Sequence, residues 1–283
     1  MAQLMDGKQT AIALREQIKI QTSELIAKYH IIPHLVVLLI GDNAASMSYV
    51  RGKELACQKA GIKSTIIKKE DTTSQAEVLE IIHQLNQDSN VHGILLQLPI
   101  PKHLNSDFII NQISPSKDVD GFTWTNVAKL SNGFPHLVPC TPLGVMRLLQ
   151  TYQVRILGKR AVVIGRSQIV GKPMAALLLK DHATVTICHS KTADLRAVCK
   201  EADILIAAIG VPNMIDSSYV KIGATVIDVG ISKVDGVIKG DVDYDSVFPI
   251  AAYLTPVPGG VGPMTIACLL ENTLTCYRDL VGV

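Results

Sequence analysis

Tyr49 and Lys53 lie four residues apart in a segment, residues 44–60, that reads as a helix stopped by Gly61, so their side chains share a face one turn apart. A phenol hydroxyl beside an ammonium suits proton transfer, because burial makes a lysine easier to deprotonate and each group tunes the other. The same Y-x-x-x-K spacing also arises from a half-buried Tyr next to a solvated Lys. Two further polar residues favour chemistry. Gln97 stands near the end of an apolar stretch, VHGILLQL over residues 91–98, where its amide needs a hydrogen-bond partner. Asp118 and Asp120 follow in KDVDGF, although an Asp before Gly is also an ordinary turn former. The sequence holds no H-E-x-x-H and no clustered His/Cys spacing that would add a metal to this set.

A second chemistry is written in RAVVIGRSQIVGKP, residues 160–173. An apolar run meets Gly165, Arg166 and Ser167, and Gly171 opens a helical stretch. A buried strand entering a glycine turn and then a helix is the start of a dinucleotide-binding unit, where bare amides and the helix dipole face a pyrophosphate. The spelling departs from G-x-G-x-x-G, with Ser167 in place of the second glycine and the third one place late, at Gly171. A second strand, residues 183–188, ends at His189, Ser190 and Lys191, where an NAD-binding unit carries an Asp or Glu for the ribose hydroxyls. A hydroxyl and cations there accept a 2′-phosphate, and Arg166 adds a charge-assisted bond, so the expected cofactor is NADP. An α/β crossover with a glycine turn and no nucleotide is the plainer alternative.

The elements that position these groups alternate. Residues 8–29 form an amphipathic helix, 35–40 (LVVLLI) a strand buried on both faces, and 64–68 a strand. Residues 75–87 are a helix, and 91–98 a strand halted by Pro99 and Pro101. Residues 99–139 read as loop. Thr141 and Pro142 then start a helix, a hydroxyl cap with Pro in the first position. Further strands are expected at 203–207 and 225–229, and a last helix at 265–280. Such alternation predicts two α/β domains with parallel sheets, the second Rossmann-like, and a substrate cleft between them. The domains are expected at 1–138, joined by the helix at 265–283, and at 139–264.

The composition excludes several classes. A formal net charge of +2 over 283 residues with 4% aromatics argues against a nucleic-acid surface, which wants a basic stripe or stacking platforms. Hydrophobic residues reach 48% but come in runs too short to span a bilayer, and MAQLMDGKQT lacks the build of a signal peptide. Six scattered cysteines without a C-x-x-C pair read as reduced core thiols, which points to the cytoplasm.

YVRGK (49–53), VHGILLQLP (91–99), KDVDGF (117–122), PCTPLG (139–144), GRSQIVGKP, CHSKT, ADILIAAIG, VIDVGI, GDVD and TPVPGGVGPMT run in one order over nearly the whole chain. On these motifs the sequence resembles the bifunctional methylenetetrahydrofolate dehydrogenase/methenyltetrahydrofolate cyclohydrolase family. The resemblance implies NADP-dependent oxidation of 5,10-methylenetetrahydrofolate, then hydrolysis of the methenyl product to 10-formyltetrahydrofolate. It implies Lys53 as the central catalytic group, Gln97 holding and tuning its amine, Asp120 binding the pterin, and Tyr49 positioning the folate. Leu98, Pro258, Gly259, Gly260 and Gly262 would line the substrate site. Gly165, Arg166, Ser167, Ser190 and Ile231 fall on the family's NADP contacts. No metal, nucleic acid or membrane is implied, and family members are commonly homodimers. The chain departs from the family pattern after KDVDGF, where Thr123 and Trp124 replace a usual His-Pro.

Two other readings compete. A short-chain dehydrogenase also pairs Tyr with Lys, but there the pair follows the glycine turn, whereas here it precedes it. A non-catalytic NADP sensor has no need to keep Tyr49, Lys53, Gln97 and Asp120 together.

Overall fold

The computed structural model describes the backbone of residues 1–283 and the side chains of all but residues 44–46 and 48. From the N-terminus run β1 (Gln3–Leu4), α1 (Gly7–Tyr29), β2 (His34–Ile40), α2 (Ala44–Ala60), β3 (Lys63–Lys69), α3 (Gln75–Gln87) and β4 (Gly93–Leu96). The helices α4 (Ser106–Ile110), α5 (Trp124–Ser131) and α6 (Cys140–Thr151) follow. Then come β5 (Arg160–Ile164), α7 (Gly171–Lys180), β6 (Thr184–Cys188), α8 (Leu195–Lys200), β7 (Ile204–Ala207) and β8 (Thr225–Asp228). A hairpin of β9 (Ser232–Val234) and β10 (Val237–Lys239) leads to α9 (Tyr244–Val247), β11 (Tyr253–Leu254) and α10 (Val261–Val281).

The chain divides into two units. One, with a six-stranded sheet, comprises Met1–Ala11, Leu130–Phe134 and Thr141–Thr265; the other, with three strands, comprises Ile12–Lys129, Pro135–Cys140 and Ile266–Val283. Both main sheets are parallel, as the strand–helix alternation requires. The N-terminal residues differ from the expected division at 138. Met1–Ala11 belong with the six-stranded unit because β1 pairs with β11, a two-residue edge strand with no periodicity to announce it.

In the three-stranded unit the order is β3-β2-β4. The all-apolar β2 is buried along its whole length, and β3 carries its lysines on the edge. Val36, Leu38, Ile40, Val78, Ile82 and Ile94 form the core beneath α3. Ser74 and Glu77 close a capping box on that helix. At its other end the buried Lys117 ammonium donates to Leu85 O, Asn86 O and Asp88 O at 2.9, 2.9 and 2.7 Å, where helix carbonyls lack partners. Ile94 N donates to Lys117 O at 2.7 Å, and Ile94 bridges Asp118 in parallel, so KDVDGF runs beside β4. The stretch read as loop, 99–139, contains α4, capped by Asn105, and α5. Among the described residues no helix is long and apolar enough to cross a membrane, and Cys57, Cys140, Cys188, Cys199, Cys268 and Cys276 are buried.

Beside this core lies a buried histidine pair. His34 N donates to His92 Nδ1 at 3.2 Å, and the His92 ring packs on Tyr277 with centroids 5.0 Å apart. Burial, with His34 and Lys117 nearby, lowers the His92 pKa to about 4. An unfolded histidine near 6.5 binds more protons than this one between pH 6.5 and 4. The stabilisation is therefore complete above about pH 6.5 and is lost as pH falls toward 4, by at most about 1.4 kcal/mol per pH unit. Hydrogen exchange of the β2 amides is expected to accelerate more steeply between pH 6.5 and 4.5, after correction for intrinsic rates, than in His92→Gln. Equal slopes would remove His92 as the cause.

The six-stranded sheet has the order β1-β11-β8-β7-β5-β6. Its core gathers Val162, Ile164, Leu205, Val226 and Leu254. The β5–α7 turn and the loops after β6, β7 and β8 leave from the carboxyl ends of parallel strands, the edge at which such sheets bind ligands.

Candidate functional site

Lys53 and Gln97 meet. The Lys53 ammonium donates to Gln97 Oε1 at 3.0 Å, and Gln97 Nε2 donates to Leu98 O at 2.6 Å. Gln97 N in turn donates to Leu38 O at 2.9 Å, continuing the β2–β4 ladder and anchoring the amide's backbone. The amide is 9% exposed, so its partner is the one that burial demanded. Lys53 is half-buried on α2, and Tyr49, one turn earlier, is 49% exposed.

Asp120 joins the same cluster. Burial pushes its carboxyl above the usual carboxylate range, the Lys53 charge pulls it back, and Asp118 pushes it up again. Its loop is fixed by Asp118, whose Oδ2 accepts from Thr123 N at 2.8 Å and Asn126 Nδ2 at 2.9 Å. Two groups that the sequence did not single out also serve it. The Cys140 thiol, driven far up by burial and by Asp120, stays protonated and lies 3.6 Å from Asp120 Oδ1. Asn272 Nδ2 ties Val119 O to Val138 O at 2.8 Å each, clamping the segments that carry Asp120 and Cys140. Only the cysteine's place in PCTPLG hinted at this contact; the asparagine gave no local signal. At the departure from the family pattern, Thr123 is buried with a hydroxyl that has no partner among the described residues, while Trp124 is 70% exposed.

In the six-stranded unit the turn after β5 is built by close backbone approach. Gly165 has φ +122°, and a Cβ there would lie 2.2 Å from Ala208 O. A Cβ on Gly171 would lie 2.2 Å from Gly165 O, so the late third glycine is the one that lets the helix start against the turn. Ser167 Oγ accepts from Val170 N at 3.2 Å and Gly171 N at 3.3 Å. Two amides expected to be bare are thus engaged, and the serine hydroxyl proton remains free to donate. Arg166 is exposed beside it. Because β5 pairs with β6, Ile164 opposite Cys188, the Arg166 turn and the turn 189–192 leave from neighbouring strand ends. His189 N donates to Thr192 Oγ1 at 2.9 Å within that turn, and Ser190 is exposed.

Pro258, Gly259, Gly260, Gly262 and Ile231 belong to the six-stranded unit, and Tyr49, Lys53, Gln97, Leu98 and Asp120 belong to the other. Lys8 N donates to Gly259 O at 3.0 Å, and a Cβ on Gly7 would fall 1.7 Å from Gly260 O, so the first turn of α1 holds this loop.

Known proteins share this arrangement. Residues 5–120 match the family model for the tetrahydrofolate dehydrogenase/cyclohydrolase catalytic domain, and residues 139–280 that for the NAD(P)-binding domain of the same family. The bifunctional protein FolD of Campylobacter concisus is 51% identical over 280 residues, 99% of each chain. The solved bifunctional enzyme FolD, a methylenetetrahydrofolate dehydrogenase/cyclohydrolase from Campylobacter jejuni, is 47% identical with a TM-score of 0.97 over 99% of each chain. The Trypanosoma brucei methylenetetrahydrofolate dehydrogenase-cyclohydrolase, solved with NADP cofactor and inhibitor, is 37% identical with a TM-score of 0.95, covering 100% of this chain and 99% of that one. With its two models matched over 5–120 and 139–280, the chain belongs to the tetrahydrofolate dehydrogenase/cyclohydrolase family.

Proposed function

We propose that the chain is a bifunctional enzyme of one-carbon folate metabolism. It oxidises 5,10-methylenetetrahydrofolate to the methenyl cation with NADP and hydrolyses that cation to 10-formyltetrahydrofolate. The observation that carries this reading is the Lys53–Gln97 hydrogen bond of 3.0 Å with Asp120 in the same electrostatic cluster. NADP, when bound, takes the hydride that leaves the methylene carbon. The β5–α7 turn fits a dinucleotide: glycine-lined, headed by a helix, with a donor hydroxyl at Ser167 and a cation at Arg166. Gly165, Arg166, Ser167, Ser190 and Ile231 hold it, the last by an exposed side chain beside Gly262.

The residues of the other unit act on the folate. Asp120, held by Asp118 and Asn126 through its loop, accepts hydrogen bonds from the pterin ring, and Tyr49 packs along it. The methenyl carbon is already electrophilic, so the step needs a positioned base and little more. Lys53, oriented by Gln97, acts as the neutral amine: it first gives its own proton to solvent, then takes one from the water that adds to that carbon, and the ring opens to the formyl amine. Leu98, Pro258, Gly259, Gly260 and Gly262 line the substrate. One substrate has to meet both the Lys53 amine and the nucleotide; a homodimer and a cytoplasmic location complete the reading.

Adding NADP and methylenetetrahydrofolate to the protein tests the reading: methenyl absorbance is expected to rise and then decay. Nucleotide binding without turnover would favour a sensor. Arg166→Ala is expected to weaken NADP by about 1.5–3 kcal/mol, the loss of a charged hydrogen bond, and to leave NAD nearly unchanged. Titration with both nucleotides checks it, and equal losses would remove the 2′-phosphate assignment.

A further inference from the structure

Two carboxylates are buried together at the carboxyl edge of the six-stranded sheet. Asp228 closes β8 at 3% exposure, and its oxygens accept from Gly230 N at 3.0 Å, Asp241 N at 2.9 Å and Val242 N at 2.9 Å. Asp241 is fully buried, and its Oδ2 accepts from Ile209 N at 2.7 Å and Gly210 N at 3.1 Å. Its Oδ1 has no hydrogen-bond partner among the described residues. The backbone is shaped around them: a Cβ on Gly230 would lie 2.1 Å from Asp241 Cγ, and one on Gly240 1.9 Å from Asp228 Oδ2. Burial raises the Asp228 pKa to about 7, with its three amides pulling it down and Asp241 pushing it up. Among the described residues neither carboxylate makes an ion pair. Five amide dipoles offset the desolvation of such a pair without cancelling its charge, and above about pH 7, where Asp228 loses its proton, that carboxylate adds its full negative charge. Tying loops together needs no charge; Thr255 Oγ1, accepting from Asp228 N at 2.7 Å, does so with a hydroxyl.

The position of the charge suggests its use. The nucleotide turn follows β5, and the turn carrying Ser190, assigned above to the 2′-phosphate, follows β6 on one side. A dinucleotide laid across the carboxyl ends of a doubly wound sheet with its adenosine toward β6 extends its other half toward β7 and β8. Ile209 and Gly210 follow β7, Gly230 and Ile231 follow β8, and all but Ile231 donate to the two carboxylates. The nicotinamide ring is a cation when oxidised and neutral when reduced. Buried negative charge beside such a ring favours the cationic form over the neutral one. Resting on the nucleotide reading above, we infer that Asp228 and Asp241 bias the site toward the oxidised, cationic cofactor.

Binding of NADP and of NADPH is measured separately, by titration without folate, for the unaltered protein and for Asp241→Asn. Asparagine keeps an oxygen for the Ile209 and Gly210 amides and removes one charge. The ratio of NADP to NADPH affinity is expected to fall by roughly three- to tenfold, mostly through weaker NADP binding. Parallel weakening of both forms, or no change in either, overturns the inference and leaves a loop clamp. Asp228→Asn is a second neutralisation with the same expected direction. In the unaltered protein, oxidised nicotinamide mononucleotide is expected to bind more tightly than its reduced form, and equal affinity counts against the bias without any substitution. If the unaltered protein binds neither NADP nor NADPH, the nucleotide reading itself has failed.

Discussion

Lys53→Met is expected to abolish hydrolysis of the methenyl substrate, by a factor of about 10²–10⁴ or more, while leaving NADP affinity within a few fold. Methionine replaces most of the stem volume of a half-buried lysine, so the change removes an amine and little packing. Two effects then act together. Gln97 Oε1 loses its donor at 3.0 Å, although Leu98 O still holds the amide nitrogen, so the site keeps its shape but not its base. Asp120 loses the cation that draws its carboxyl down against burial, and shifts further toward the neutral acid. Folate affinity is therefore expected to fall along with turnover, whereas Lys53 and the β5–α7 turn lie in different units. Decay of methenyl absorbance and a separate NADP titration check the two halves. A large drop in NADP binding would show that Lys53 serves the nucleotide instead.

Much of this was legible because period and burial speak plainly over long segments. The six apolar residues of β2 and the run inside β5 could only be strands buried on both faces, and the helices between them set the parallel order. Tyr49 and Lys53 were placed by helix spacing, and Gln97 by being the one amide at the end of an apolar strand. What stayed hidden depends on partners far apart in sequence. Nothing near Asn272 says that it will tie Val119 to Val138, and nothing in VIDVGI or GDVD says that Asp228 and Asp241 will share one pocket of backbone amides. The helices α4 and α5 are too short for periodicity to outweigh the Pro, Asn and Gly around them. Ser167 shows a different limit. As a substitute for glycine it weakened the fingerprint, yet its hydroxyl caps α7 in a way that glycine does not.

Gly171→Ala is expected to produce the complementary phenotype: NADP binding weakened by more than tenfold, dehydrogenase activity lost with it, and hydrolysis of added methenyltetrahydrofolate retained. At an ordinary helical position this substitution stabilises, since alanine is favoured over glycine by about 1 kcal/mol. The surroundings reverse the sign here. The new methyl would sit 2.2 Å from Gly165 O, 2.5 Å from Gly165 C and 2.8 Å from Arg166 N. All three are backbone atoms, so no side chain can rotate away. Gly165 cannot yield either, because its own α-carbon faces Ala208 O and its N–H is bonded to Cys188 O at 2.9 Å. The helix start must therefore move away from the turn, stretching the Ser167 hydroxyl contacts to Val170 N and Gly171 N and displacing Arg166 from the strand end. Overpacking of this kind costs about 1–3 kcal/mol of stability, too little to unfold a chain of this size but enough to move a phosphate site out of register. Hydrolysis needs no nucleotide, and its proposed base and pterin anchor belong to the other unit. Assaying the two steps separately, with NADP titration and thermal unfolding alongside, checks the result; unchanged NADP affinity in a folded Gly171→Ala protein would mean that this turn does not hold the cofactor.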